Sequence, residues 1–218
     1  CRFISINPQR TASDYYLNAD WVQIVPNTDI ALFLGMAHHV LEQGLEDRAY
    51  IEKYTTGADR WIAYVKGEDD GTAKTPDWAA GITGIPADKI REMAELFAKS
   101  RTQSGGAWSL QRAHHGELTH HAIINFAALV GKIGKPGEGV GFSWHYGGGG
   151  MPQSGQSTPT GLSAGKNLVD KLCPASRIVE MLENPGTEFF YNGQTRTYPD
   201  IRMIYNAGNN FVSHQQDL

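Results

Sequence analysis

Short apolar runs ended by turn-prone residues alternate along this chain with longer stretches in which apolar positions recur at helical spacing. Residues 3–6 (FISI) read as a strand ended by Asn7-Pro8, and residues 21–25 (WVQIV) as a second ended by Pro26. Thr28 then occupies a helix N-cap, Asp29 complements the dipole in the first turn, and Ile30, Phe33, Leu34, Ala37, Val40 and Leu41 form one apolar stripe before Gly44 stops it. A second amphipathic helix is predicted from near Pro86, burying Ile90, Met93, Ala94 and Phe97. Between these helices lies a loop-rich insert, residues 66–75 (KGEDDGTAKT), polar and turn-rich, which reads as a solvated surface loop.

The second half continues the pattern. Residues 104–108 are predicted as a strand, and residues 117–133 as a helix apolar over most of its surface and hence buried on several sides. Residues 134–165 are dominated by Gly, Pro, Ser and Thr and are too long for an ordinary connection, which predicts a functional loop that also crosses between domains. A helix over 174–183, a hairpin turning at Asn192-Gly193 and a strand over 201–205 running into AGNN follow. The expected fold is α/β: an open, mainly parallel sheet flanked by helices in the manner of dinucleotide-binding domains, over residues 1–165, plus the start of a second α/β segment over 166–218. The chain has no initiator Met, opens inside a strand and stops abruptly at HQQDL, so it reads as an internal piece of something larger.

Composition narrows the possible partners. A net charge of -4, with both signs interspersed, provides neither a basic face for nucleic acid nor a polybasic membrane patch. No apolar run approaches the roughly 20 residues of a membrane helix. The two cysteines, Cys1 and Cys173, form no C-x-x-C pair, which removes the usual support for zinc, iron–sulfur or thioredoxin-type chemistry and leaves a disulfide between them open.

Candidate chemistry gathers at strand exits. Asn7 and the Thr28-Asp29 pair sit where an open α/β sheet binds nucleotides, beyond the carboxyl ends of its strands. The Asp29 carboxylate can accept from the N1 and N2 donors of guanine, or it can serve only as a favourable first-turn charge, and spacing leaves both readings open. Neither G-x-G-x-x-G after a strand nor G-x-x-x-x-G-K-[ST] occurs, and the run Gly147 to Gly150 suits either a close backbone approach to a ligand or a mobile loop. Trp108, Gln111, Arg112, His114 and His115 form a sharper cluster, in which Arg112 offers a planar fork of donors to an anion or polarised oxygen and Trp108 offers a flat wall. The ordinary alternative is a buried Trp beside an exposed Arg. The pairs His114-His115 and His120-His121 lack H-E-x-x-H spacing, so no metal ligand is assigned.

The run WSLQRAHHGE (108–117), continued by GKIGKPGEG (131–139), resembles the dimethyl sulfoxide, trimethylamine N-oxide and biotin sulfoxide reductase branch of the molybdopterin oxidoreductases. The start is similar to that family's I-D-P-x-x-T strand exit and P-x-T-D helix entry, and the end to its G-x-N-P-x-x-H-H-Q-D segment. This resemblance implies two molybdopterin guanine dinucleotides chelating one molybdenum. It also implies removal of oxygen from an S- or N-oxide as Mo(IV) becomes Mo(VI), followed by re-reduction with two electrons and two protons. Carried over by position, Ile6, Asn7, Asn27, Thr28 and Asp29 would hold the guanosine end of one cofactor. Trp108, Ser109 and Arg112, assisted by Gln111, would contact cofactor near the metal, with Trp108 and Arg112 also forming the pocket wall. Asn210 and His214 would touch the second cofactor. An electron-donor cytochrome or other redox protein and a periplasmic location are implied in the same way.

Four positions depart from that family's pattern: Asn7 stands where Asp is commoner, Phe211 where Pro is usual, Gln215 where His is frequent, and Leu118 where Gln is typical. The metal's protein ligand, a Ser in this branch, is expected upstream of Cys1, so the piece by itself is expected to be inactive. A nicotinamide-type dehydrogenase would need a glycine fingerprint at the first strand turn, where this chain has INPQRT. A non-catalytic nucleotide-binding module keeping only a relic of the fold would lose Asp29, Trp108 and Arg112, and all three are present.

Overall fold

The computed structural model describes residues 1–142, 166, 173–174 and 177–205. These fall into two units that meet in sequence between residues 151 and 152, and each is taken by itself. The first begins with strand β1 (Ile4–Ile6), the short helix α1 (Ala12–Tyr16) and strand β2 (Asp20–Val22), and β1 pairs parallel with β2, Ser5 opposite Trp21. Five helices follow: α2 (Asp29–Glu42), α3 (Arg48–Tyr54), α4 (Ala58–Lys66), α5 (Pro76–Thr83) and α6 (Ala87–Lys99). Strand β3 (Gln103–Gly106), a 3-10 turn (Trp108–Arg112), helix α7 (Glu117–Leu129) and strand β4 (Gly139–Phe142) complete it, β3 pairing parallel with β4 across the helical crossover.

The mixed α/β expectation holds. The strands of the first unit, however, form two separate two-stranded parallel pairs among the described residues. Helices supply most of the core. On α2, the side chains of Leu32, Ala37 and Val40 are fully buried, and each Leu or Val removed from water in this way contributes about 1.5–3 kcal/mol. Phe126 of α7 lies at the centre, with ring centroids 5.8 Å from Phe33 and 5.0 Å from Phe97.

Several boundaries differ from the sequence reading, each for a local reason. The second strand ends at Val22 rather than Val25, because the Val25 N–H bonds to the Thr83 carbonyl and Asn27 takes a left-handed conformation (φ 64°). Helices α3 and α4 lead into the insert of residues 66–75 and α5 follows it, with α3 capped by the Asp47 carboxylate and α5 by the Thr75 hydroxyl. The insert itself is not wholly solvated: Lys74 is 2% exposed, its ammonium held by both oxygens of Asp70 and lying 4.3 Å from the centre of the Tyr64 ring. The third strand spans Gln103–Gly106, leaving Trp108 in the 3-10 turn, and α7 stops at Leu129 ahead of the left-handed Gly131 (φ 64°). A Cβ at Gly131 would lie 2.4 Å from an Asp47 carboxylate oxygen, so that reversal is closed to other residues. Helix α7 also keeps an exposed side, with Leu118, His121 and Ile124 facing outward. The glycine-rich stretch expected to be loop contains β4, which the half-buried Lys132–Glu138 ion pair (2.9 Å) precedes.

In the second unit, helix α8 (Ile178–Glu183) is shorter than the predicted 174–183, and strands β5 (Glu188–Tyr191) and β6 (Gln194–Thr197) form the expected hairpin. Asn192 and Gly193 both have positive φ, as a type I′ turn requires. Phe189 and Tyr198 stack at 4.1 Å over Met181. Residues 201–205, expected as a strand, have no regular structure.

Candidate functional site

Parallel pairing of β1 with β2 puts both strand exits at the same end of the pair, where open α/β folds bind ligands. At the first exit, Ile6 turns its side chain into the hydrophobic core, leaving Asn7 as the polar group there. The Asn7 backbone is fixed on both sides: its N–H donates to the Val22 carbonyl (3.2 Å), and its carbonyl accepts from the Trp21 indole (3.1 Å). The Asn7 amide nitrogen donates to the Ser5 hydroxyl (2.8 Å). Behind Ser5 lies Asp14, a carboxylate only 4% exposed that accepts from both the backbone N–H and the hydroxyl of Thr11. The hydrogen bond from Ser5, then that from the Thr11 backbone, hold the Asp14 carboxyl below its ordinary range.

At the second exit, Thr28 occupies the N-cap position of α2 without capping the helix with its side chain. Its hydroxyl donates back to the Val25 carbonyl (2.6 Å). Asp29 opens the helix, half-buried, with its carboxyl pushed above the ordinary value by burial, a shift its own backbone N–H only partly offsets. Charge at a helix N-terminus is favoured by roughly 0.3–1 kcal/mol. Burial opposes that attraction, and among the described residues no cation pairs with Asp29.

The Asn27 side chain joins this corner to the second cluster, its amide nitrogen donating to the His114 carbonyl at 3.4 Å. His115, next in the chain, is also left-handed (φ 53°), and its ring lies 4.0 Å from that of His114. Trp108, Ser109, Gln111 and Arg112 share the 3-10 turn just before this point. Trp108 and Gln111 are partly buried, while Ser109 and Arg112 are exposed, and among the described residues the Arg112 guanidinium has no ion-pair partner. The turn rests on Gly116, where a Cβ would meet the Leu110 carbonyl oxygen at 2.3 Å and the Gln111 carbonyl carbon at 2.7 Å.

Of the predicted site residues, Asn27, Thr28 and Asp29 therefore stand together, linked through His114 to the segment that follows Trp108, Ser109, Gln111 and Arg112. Asn210, His214 and Gly147 to Gly150 lie outside the described residues. Sequence reasoning missed Ser5, Asp14 and Gly116. The Thr11-x-x-Asp14 spacing resembled a capping box and was a usable signal for Asp14, whereas nothing local marks Gly116 as a point of close approach.

The site's chemistry is that of a polar corner: amide and carboxylate acceptors at two strand exits, with a guanidinium and an indole on a turn linked to them through Asn27 and His114. Comparison with known proteins gives this arrangement a family. The model of the family described as molybdopterin oxidoreductase matches residues 1–218, the whole chain. A dimethyl sulfoxide/trimethylamine N-oxide reductase of Cereibacter sphaeroides is 46% identical over 99% of this chain and 28% of its own length. A trimethylamine-N-oxide reductase of Haemophilus influenzae is 40% identical over 99% of this chain and 28% of its own, and a biotin sulfoxide reductase of Cereibacter sphaeroides is 40% identical over 100% and 29%. The chain thus spans under a third of the length of these curated relatives. Among solved structures, acetylene hydratase from Pelobacter acetylenicus superimposes with a TM-score of 0.52 at 28% identity, covering 63% of this chain and 18% of that one. The chain belongs to the molybdopterin oxidoreductase family.

Proposed function

We propose that the protein carrying this chain is a molybdenum-dependent reductase of S- and N-oxides, working at a centre built from two molybdopterin guanine dinucleotides. The activities that the relatives are named for, on sulfoxides and trimethylamine N-oxide, support the substrate class. The observation that carries the reading to this chain's own residues is the Asn27 hydrogen bond to His114, which brings a carboxylate corner and the Trp108–Arg112 segment into one region.

The residues suit such a cofactor. A half-buried Asp29 carboxylate, without a cation partner among the described residues, is an acceptor for the paired N–H donors of a guanine, which would compensate its lost hydration. Asn7 offers a neutral contact to a ribose hydroxyl. Arg112, free of ion pairs among the described residues, supplies donors for a phosphate or for an oxide oxygen, and Trp108 a wall that excludes water. Ser109 and Gln111 add polar contacts on the same turn. The cofactor, when bound, supplies the two-electron chemistry. Within this reading, residues 1–165 serve one cofactor, residues 166–218, with Asn210 and His214, lead to the second, electrons arrive from a cytochrome or other redox protein, and the protein works in the periplasm.

The test uses the complete protein. It is expected to contain molybdenum and to oxidise reduced viologen with dimethyl sulfoxide or trimethylamine N-oxide, and a purified protein lacking molybdenum sinks the proposal. Arg112→Ala should lower turnover more than cofactor content, whereas equal loss of both would restrict Arg112 to holding cofactor.

A further inference from the structure

The loops leading into α2 and α7 each hold a left-handed residue, Asn27 at φ 64° and His115 at φ 53°. Beyond them the two helices are fixed by core packing, with the rings of Phe33 on α2 and Phe126 on α7 5.8 Å apart. Ahead of α2, the chain on either side of Asn27 is pinned: the Val25 N–H donates to the Thr83 carbonyl (2.9 Å), and the Thr28 hydroxyl to the Val25 carbonyl (2.6 Å). Ahead of α7, the Leu110 N–H donates to the Ala107 carbonyl (3.3 Å) and the Gly116 N–H to the Ala113 carbonyl (2.8 Å), so the turn carrying Trp108 and Arg112 and the loop after it each close on themselves. The Asn27 side chain crosses from one loop to the other, its amide nitrogen donating to the His114 carbonyl at 3.4 Å. A carbonyl oxygen only accepts, so the nitrogen end of the amide faces it and the oxygen end faces away. Asn meets both demands of the position, for it tolerates a left-handed backbone and carries a donor on a short side chain. Glycine would meet only the first.

We infer that Asn27 is a positioning residue: it ties the corner that opens α2 to the loop following the Trp108–Arg112 turn, and so holds Asp29 and Arg112 in register on two sides of one site. This inference rests on the reading that both residues serve one bound cofactor and its substrate.

The experiment measures amide hydrogen exchange of the full-length protein by mass spectrometry over residues 108–116, beside its guanine nucleotide content and its turnover of trimethylamine N-oxide with reduced viologen. Asn27→Gly keeps the backbone freedom and removes the donor, whereas Asn27→Asp keeps the backbone and the side-chain shape but sets an acceptor against an acceptor. Both should speed exchange over residues 108–116 about three- to tenfold, the worth of one ordinary hydrogen bond, while the bodies of α2 and α7 exchange as in the parent. Turnover should fall further than nucleotide content, because Arg112 is displaced while Asp29 stays in place. If Asn27→Asp exchanges like the parent, or if exchange rises equally through α2 and α7, the tie is overturned and Asn27 merely shapes the backbone. If exchange rises over residues 108–116 alone while turnover and nucleotide content match the parent, Asn27 does tie the two loops, and the place of the Trp108–Arg112 segment in the site is what fails.

Discussion

The carbonyl oxygen of Leu110 packs so closely on the α-carbon of Gly116 that a methyl group there would sit 2.3 Å from it. Gly116 has an ordinary helical φ of -62°, so the requirement is for space rather than for unusual backbone freedom. Through that contact the first turn of α7 fixes the height of the turn carrying Trp108 and Arg112.

Gly116→Ala should push this turn away by about 1 Å, enough to reach an ordinary contact distance. Misplacement on that scale typically costs about a hundredfold in turnover, while overpacking costs about 1–3 kcal/mol of stability. In the full-length protein, turnover with reduced viologen should fall far more than molybdenum content. A variant with unchanged turnover would show that the turn's position is irrelevant to the reaction.

Asp29 sets up a pH dependence of definite sign. Its folded-state pKa is raised above the ordinary 3.8, so its contribution to stability is fully present below that value and is lost as pH rises through the raised folded value. Asp29→Asn mimics the protonated carboxyl and should melt higher than the parent near pH ~7 but equal to it near pH ~3, when both are compared stripped of cofactor. The same change should weaken retention of guanine nucleotide. A destabilised Asp29→Asn protein at neutral pH would mean that the helix terminus, not desolvation, dominates.

The Lys132–Glu138 pair closes the loop from α7 into β4, with side chains 12% and 9% exposed. Removing one partner strands a poorly hydrated charge, so Lys132→Ala should cost about 3–5 kcal/mol, whereas replacing both by Met and Leu should be close to neutral. Amide exchange across β3 and β4 is the appropriate measurement, because local opening there reports on this loop. A loss of less than about 1 kcal/mol in Lys132→Ala would make it a surface pair of little consequence.

How much of this was legible beforehand depended on whether the signal was periodic. The α6 positions Ile90, Met93, Ala94 and Phe97 were readable because burial recurs there at helical spacing. On α2 the expected stripe located the helix, but burial runs through nearly all of residues 31–40 and takes in Leu32, Met36, His38 and His39, because other helices pack on it from several sides. The Asn192-Gly193 hairpin was readable because its turn demands positive φ at both residues. Helices α3 to α5 escaped because they are short and separated by turn residues, with caps from Asp47 and Thr75 that only their settled backbones reveal. Strand β4 escaped because Gly139 and Gly141 argue against a strand until β3 pairs with it.

By itself, then, the order of residues determined the α/β class, the amphipathic faces and, through long ordered motifs such as WSLQRAHHGE, the family. Tertiary structure alone decided which polar groups meet. That Asn27 reaches the His114 carbonyl, that Gly116 must make room for Leu110, and that Ser5 and Asp14 stand behind Asn7 are relations between segments up to 87 residues apart. Periodicity reports only which way a side chain faces on its own element. The partner it meets is set when helices and strands pack, and hydrogen bonds and steric fit act at those distances of a few ångströms.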